Sequence, residues 1–289
     1  MQLSPSEEAF LLQGVSQNVR NDGRERTSPR SLTLQTGVVS AANGSARAQR
    51  GATDVVVGVK VEVGVPDLAT PNQGRVEVAV DCAPSASPLY EGRGASELNT
   101  ALAAAVAAYV AAPGALDLEA LCIRPDTHAW VLHVDAVVLD SGGNILDVIC
   151  AAARAALADT SIPRVSTVPS ETPNAFDLDV SDDPDDLIRL DTSSLPTAVT
   201  LARLGDFYVV DPDLDEESCL TAALTVGVTQ DGTLSGATTS GPGGVPPAML
   251  FEMLTVARKI GTKIVKDMDL LLEQETSLDR PSHQLGFFA

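Results

Sequence analysis

From Arg20 to Arg50 the chain carries six arginines, Arg20, Arg24, Arg26, Arg30, Arg47 and Arg50, opposed in that interval only by Asp22 and Glu25. Guanidinium groups serve two chemistries equally well, salt bridges to carboxylates and contacts to phosphate, and both readings stay open here. A second candidate is the turn Ser141-Gly142-Gly143-Asn144, which leads into an alanine-rich segment. Free backbone N–H groups and the helix dipole at such a turn could seat a phosphate. The residues that follow, Ile145, Leu146 and Asp147, supply no hydroxyl and no cation. A carboxylate in the first helical turn competes with an anion for the same field, so the turn reads as a structural strand-to-helix connection.

The acidic groups are less specific. Between Asp177 and Asp191 the aspartates 177, 179, 182, 183, 185, 186 and 191 face Arg189 alone, with prolines 169, 173 and 184 interleaved or adjacent. Such carboxylates could hold a hard cation, but nothing fixes their geometry, and the stretch reads as a solvated, partly extended linker. Asp211-Pro212-Asp213-Leu214-Asp215 resembles the start of a calcium loop and fails it, because Glu216 stands where the loop needs glycine and Ala222 where it needs glutamate. Cys82, Cys122, Cys150 and Cys219 are widely spaced without a C-x-x-C pair, which suggests buried free thiols. No metal or cofactor is expected.

Charge and length narrow the function classes. A formal charge of -20 and a pI near 4.3 argue against coating nucleic acid through the overall field, while leaving local basic strips possible. The N-terminus, with Glu7 and Glu8, shows no signal-peptide pattern, and the longest apolar run, Leu102 to Ala112, is too short to span a bilayer. A soluble intracellular protein without membrane partners is expected. Its 289 residues suffice for one large or two modest domains.

The elements that would position these residues follow from periodicity. Ser4 caps a short helix to about Asn18, with Pro5 at its first position, Glu7 closing a capping box, and Phe10, Leu11 and Val15 on one side. Residues 31 to 65 and Arg75 to Cys82 read as strands, the latter with Val76, Val78 and Val80 inward. A helix capped by Ser96 runs to about Ala112, with Leu98, Leu102, Ala105, Val106 and Tyr109 on one stripe. Ala129 to Asp140 is a strand whose two faces both look largely apolar, which suits the middle of a sheet. Ile145 to Ala158 is a helix whose small side chains allow close packing. In the second half, Leu195–Leu204 and Phe207–Val210 read as strands, Asp231-Gly232 marks a hairpin between Ala222–Thr229 and Thr233–Thr238, and a long helix covers Pro247 to Gln274.

Read together, Gly23-Arg24, Gly44-Ser45-Ala46, Gly51 with Thr53-Asp54, Glu91-Gly92-Arg93-Gly94, Trp130 to Asp140, Gly143-Asn144, Ala155-Ala156-Leu157, Ile162-Pro163 and Val209-Val210-Asp211-Pro212 with Glu216-Glu217 resemble the RNase PH superfamily. Within it they are most similar to the non-catalytic ring subunits of the RNA exosome. Ser181-Asp182-Asp183-Pro184, Arg189-Leu190 and Phe251-Glu252-Met253 narrow the resemblance to one subunit type of the eukaryotic complex.

The resemblance implies an α+β fold of two related βαβ-containing halves, with helices packed on mixed sheets. It divides the chain into an N-terminal helix and Arg-rich arm (1–30), a first domain (31–168), an acidic linker (169–194), a second domain (195–276) and a tail (277–289). It implies a hetero-oligomeric ring built with related subunits and cap subunits, through which RNA is threaded, in nucleus and nucleolus and also cytoplasm. Active relatives bind phosphate with Gly-Ser-Arg or Gly-Thr-Arg where this chain aligns Asn144-Ile145-Leu146, and place an acid two residues before a proline where it has Ser194-Leu195-Pro196. Losing cation and acid together removes most transition-state stabilisation, so no catalytic residues are expected. Arg93, Arg24, Arg47 and Arg50 are the candidates for RNA contact. The alternative is a phosphate-dependent 3′-to-5′ exoribonuclease with a displaced site using Asp191.

Overall fold

The computed structural model describes residues 3–92, 95–169, 176–181, 183 and 186–277. Its first half holds α1 (Pro5–Ser16), β1 (Leu32–Thr36), β2 (Gly44–Arg50), β3 (Thr53–Gly64), β4 (Arg75–Cys82), α2 (Ser96–Val110), β5 (Cys122–Arg124), β6 (His128–Asp140) and α3 (Ile145–Asp159). Strand order in the first sheet is β1-β2-β3-β6-β4, with β5 also pairing β6. β4 and β6 run parallel, and α2 makes the crossover between them that a parallel pair requires. Four short elements follow, β7 (Ser161–Pro163), β8 (Val165–Pro169), β9 (Phe176–Val180) and β10 (Leu187–Arg189). The second half comprises β11 (Thr197–Leu204), β12 (Phe207–Val210), α4 (Leu214–Ser218), β13 (Ala222–Val228), β14 (Leu234–Ser240) and α5 (Pro247–Ser277). Its sheet runs β12-β11-β13-β14, and all its pairs are antiparallel.

Helix α3 is the middle layer of the molecule. It packs on β2 and β3 of the first sheet and on β11 of the second, and every residue from Asp147 to Leu157 is buried. Two-sided burial needs a helix without a polar face, and the alanines at 151, 152, 153, 155 and 156 provide one thin enough for both sheets to approach. The approach is closest at β2, where a Cβ added at Gly44 would lie 2.6 Å from both Ala156 O and Thr160 Cα. α2 covers β4, and α5 lies across β11 and β13 and reaches β1.

Several local expectations change. β6 is central, as its apolar content suggests, but only the face bearing Trp130, Leu132, Val134, Ala136 and Val138 is buried throughout. On the other face Val131 is covered, while Asp135 and Val137 are exposed and His133 Nδ1 lies 3.3 Å from a Glu77 oxygen. In α1 the capping box of Ser4 and Glu7 forms and Leu11 and Val15 are buried, but Phe10 points to solvent at 65% exposure. Ser96 does not cap α2: it is the first helical residue, and the buried Ala95 holds the cap position without a side-chain hydrogen bond.

The described residues in and beside the acidic stretch include paired strands. β8 and β9 pair as an antiparallel hairpin and β10 pairs with β7. The alternation Phe176-Asp177-Leu178-Asp179-Val180 is a strand pattern in sequence, and it falls on β9. Residues 278–289, including Phe287 and Phe288, lie outside the described residues. All four cysteines are free, with Cys82 and Cys150 buried and Cys122 and Cys219 partly so.

Candidate functional site

The glycine turn after β6 lies against the second half of the chain. Gly143 has φ 91° and Asn144 φ 53°, the left-handed region that glycine and asparagine reach at least cost. A Cβ at Gly143 would lie 2.5 Å from Asp213 C and 2.6 Å from Leu214 N, so the backbone opening α4 covers the turn. Two further hydrogen bonds fix it to β3: Thr53 Oγ1 donates to Gly143 O at 2.7 Å and accepts from Gly142 N at 3.1 Å.

Asp211, at the end of β12, organises the surroundings. Its carboxylate accepts from Arg30 N (2.8 Å), Arg30 Nε (2.9 Å), Arg30 Nη2 (2.8 Å) and Asn144 Nδ2 (2.8 Å). Arg30 spans the gap, also donating to Gly142 O at 2.9 Å and Gly143 O at 3.1 Å. Asn144 Nδ2 donates equally to Asp147, 2.8 Å away, and Asp147 accepts from Thr200 N (2.8 Å) and Thr200 Oγ1 (2.7 Å) on β11. A second arginine locks the outer side. Arg20 donates through Nε and Nη2 to the Glu216 carboxylate, through Nη1 to Val210 O at 2.8 Å and through Nη2 to Asp211 O at 2.8 Å. Glu216 in turn closes a capping box with Asp213 at the start of α4.

Electrostatics sort these acids. Burial pushes Asp211 up, but the Arg30 hydrogen bonds and the charges of Arg50 and Arg30 outweigh it and hold its carboxyl at about 2. Asp147 is wholly buried, and that burial raises its pKa against the opposing Arg50 charge and the Thr200 and Asn144 hydrogen bonds. Glu217 is also raised, first by burial and further by Asp147 and Asp211. Its Oε1 accepts from Asn144 N at 2.6 Å. The N–H that could greet a phosphate at the head of α3 therefore already holds a carboxylate of the same chain.

The arginines of the N-terminal arm divide by burial. Arg24 pairs with Asp22 at 2.5 Å and Asp211 at 3.4 Å, with a side chain 14% exposed. Arg26 stacks over Phe207 at 4.8 Å. Arg47 is 35% exposed and forks onto Asp54, 2.9 and 2.5 Å away. Arg50 is 2% exposed. Arg93 lies outside the described residues. Asp191 shares a cavity with Ser194 and residues 111–119, none of which belongs to the glycine turn, and it accepts from Ser193 N at 2.9 Å.

Sequence reasoning found the arginines and the turn but not Asp211, Glu216 or Glu217 as their partners. The available signal was the acid-rich Asp211–Glu217 run, a charge complement to the arm. Among the described residues no cluster of His, Cys, Asp and Glu could hold a metal, and no helix is long and apolar enough to cross a membrane.

Comparison with known proteins covers most of the chain. Residues 28–163 match domain 1 of the 3′ exoribonuclease family and residues 194–260 match its domain 2. A Dictyostelium discoideum protein, by provisional name an exosome complex exonuclease RRP42, is 33% identical over 94% of this chain and 98% of its own length. The exosome complex component Rrp42 of Methanocella arvoryzae is 34% identical over 86% of this chain and 90% of its own. Among solved structures, a chain of the Archaeoglobus fulgidus exosome with RNA bound to the active site superposes with TM-score 0.78 at 29% identity, covering 91% of this chain and 97% of that one.

Proposed function

Because this chain belongs to the 3′ exoribonuclease family, with both RNase PH domains present, we propose that it is a non-catalytic ring subunit of an RNA exosome core. The Rrp42 relatives, which share the subunit type of ribosomal RNA processing protein forty-two, support that role, and the related chain from an RNA-bound archaeal exosome supports a hetero-oligomeric ring with related and cap subunits. In this reading the ring lines a channel that guides RNA to 3′-to-5′ processing and decay elsewhere in the complex. It works in nucleus and nucleolus and also in cytoplasm, which imaging of the tagged chain would test.

The observation that carries the non-catalytic reading is the Glu217 carboxylate on Asn144 N, 2.6 Å away. An attacking phosphate would meet a negative charge already on that donor, with Ile145 and Leu146 beside it instead of a hydroxyl or a cation. Asp191 lines a different cavity and does not replace the missing acid. RNA contact then falls to Arg93 and the partly exposed Arg47, while Arg24 is paired within the chain and Arg50 is buried.

Two measurements test this. The isolated chain, given RNA and inorganic phosphate, should release no nucleoside diphosphates; release abolished by Asp191→Asn would establish the enzyme reading instead. In the complex purified from its own cells, several related subunits should be present, and Arg93→Ala with Arg47→Ala should shorten the RNA segment protected from nuclease without dissolving the ring.

A further inference from the structure

Arg50, near the end of β2, is the one member of the arginine arm whose side chain makes no hydrogen bond among the described residues. Its Nε is buried without a partner. The other buried arginine with an unpartnered Nε, Arg154, still donates through its terminal nitrogens to Leu195 O and to Asp269 at 2.9 Å. A buried donor left unpaired is costly, the more so on a charged group. Asp147 and Asp211 face the Arg50 charge, but neither accepts a hydrogen bond from its side chain.

Arg50 lines a cavity of about 420 Å³ between residues 27–32 and one face of α5. That volume falls in the range of small-molecule sites, roughly 300–1,000 Å³. The walls are of two kinds. Ile260, Ile264 and Leu271 form an apolar side on α5, and Lys263, exposed one turn along, stands at the rim. Arg30 also faces the cavity, but its donors are committed to Asp211 and the glycine turn. The single carboxylate on the wall, Asp267, is exposed and lies four residues after Lys263, on its side of the helix.

We propose that this cavity binds a small organic phosphate of nucleotide size, with phosphate oxygens accepting from Arg50 and Lys263 and the apolar body of the ligand lying on Ile260, Ile264 and Leu271. The site is distinct from the sealed turn at the head of α3 and does not depend on the ring reading. Ser28 and Ser31, also on the wall, offer hydroxyls to the sugar or phosphate. The apolar side is what separates a nucleotide from a bare anion.

The test is calorimetric titration of the full chain, in its purified complex, with adenosine monophosphate, inorganic phosphate and a short RNA in separate arms. Adenosine monophosphate should bind, more tightly than inorganic phosphate, and Arg50→Leu should weaken it about tenfold or more, which is about 1.4 kcal/mol. Lys263→Glu lies on the surface and leaves the fold intact, so it carries the test even where Arg50→Leu impairs folding; it too should weaken binding severalfold. No binding of the nucleotide, equal binding of inorganic phosphate, binding of RNA alone, or an unchanged affinity in Lys263→Glu would each overturn the proposal.

Discussion

At Asp211 the backbone sits at φ 53° and the side chain is fully buried between Arg30 and Asn144. Removing one partner of such a pair leaves an uncompensated charge, so Asp211→Ala should destabilise the protein by about 3–5 kcal/mol, read from urea unfolding. Asp211 also sets an acid limb. Its folded pKa, about 2, lies below the ordinary 3.8. The stability it contributes is therefore complete above the unfolded value and is lost as pH falls through the folded one. Asp211→Asn should flatten the stability curve between about pH 4 and pH 2. Glu217 behaves with the opposite sign. Its raised pKa means the native state binds a proton more tightly, so acidification through that pKa favours the fold. Glu217→Gln should keep an acceptor for Asn144 N while raising the urea midpoint at pH 8 relative to wild type, and that advantage should shrink on acidification as Glu217 itself becomes protonated.

At the scale of elements, the contact of β2 with α3 is the tightest constraint. Gly44→Ala would drive a Cβ into the backbone of Ala156 and Thr160, at 2.6 Å from each, and neither can move without shifting the helix. A loss of about 1–3 kcal/mol or more in thermal or chemical denaturation is the expected outcome. Elements of this kind were legible because they announce themselves locally. The Gly142-Gly143-Asn144 stop, the alanine period and the Asp231-Gly232 hairpin each carry their signal within a few residues, and α3, β13 and β14 appear where it points. The β8–β9 hairpin was hidden because its aspartates and the nearby prolines read as solvation, although the Phe176-to-Val180 alternation was present. The site was half legible. Arg20 and Arg30 were visible as unusual residues, but their acids stand 196 and 181 positions away, and no local periodicity links them.

For the whole molecule, the net charge of -20 and the basic arm are reconciled by folding. Arg20, Arg24 and Arg30 fold back onto Glu216 and Asp211, which ties the first fifty residues to the second half rather than leaving them as a free basic arm. Buried pairs are screened little by salt, so raising sodium chloride from 0.1 to about 0.5 M should leave the unfolding midpoint nearly unchanged, while RNA retention by the complex should fall steeply. A matching drop in stability would show that the arm is held by surface charge instead.

The alanine helix between the two sheets also sets a schedule for synthesis. α3 leaves the ribosome with one face able to close on β2 and β3, but β11, which covers the other, begins only at Thr197. At about 5–20 residues per second, that interval of roughly 40 residues leaves an apolar stripe uncovered for seconds. A nascent chain stalled after residue 168 should therefore recruit chaperones and aggregate on release, and supplying residues 169–289 in trans should restore its solubility. The arrangement that makes the finished subunit one body makes its half-made form a client of the folding machinery.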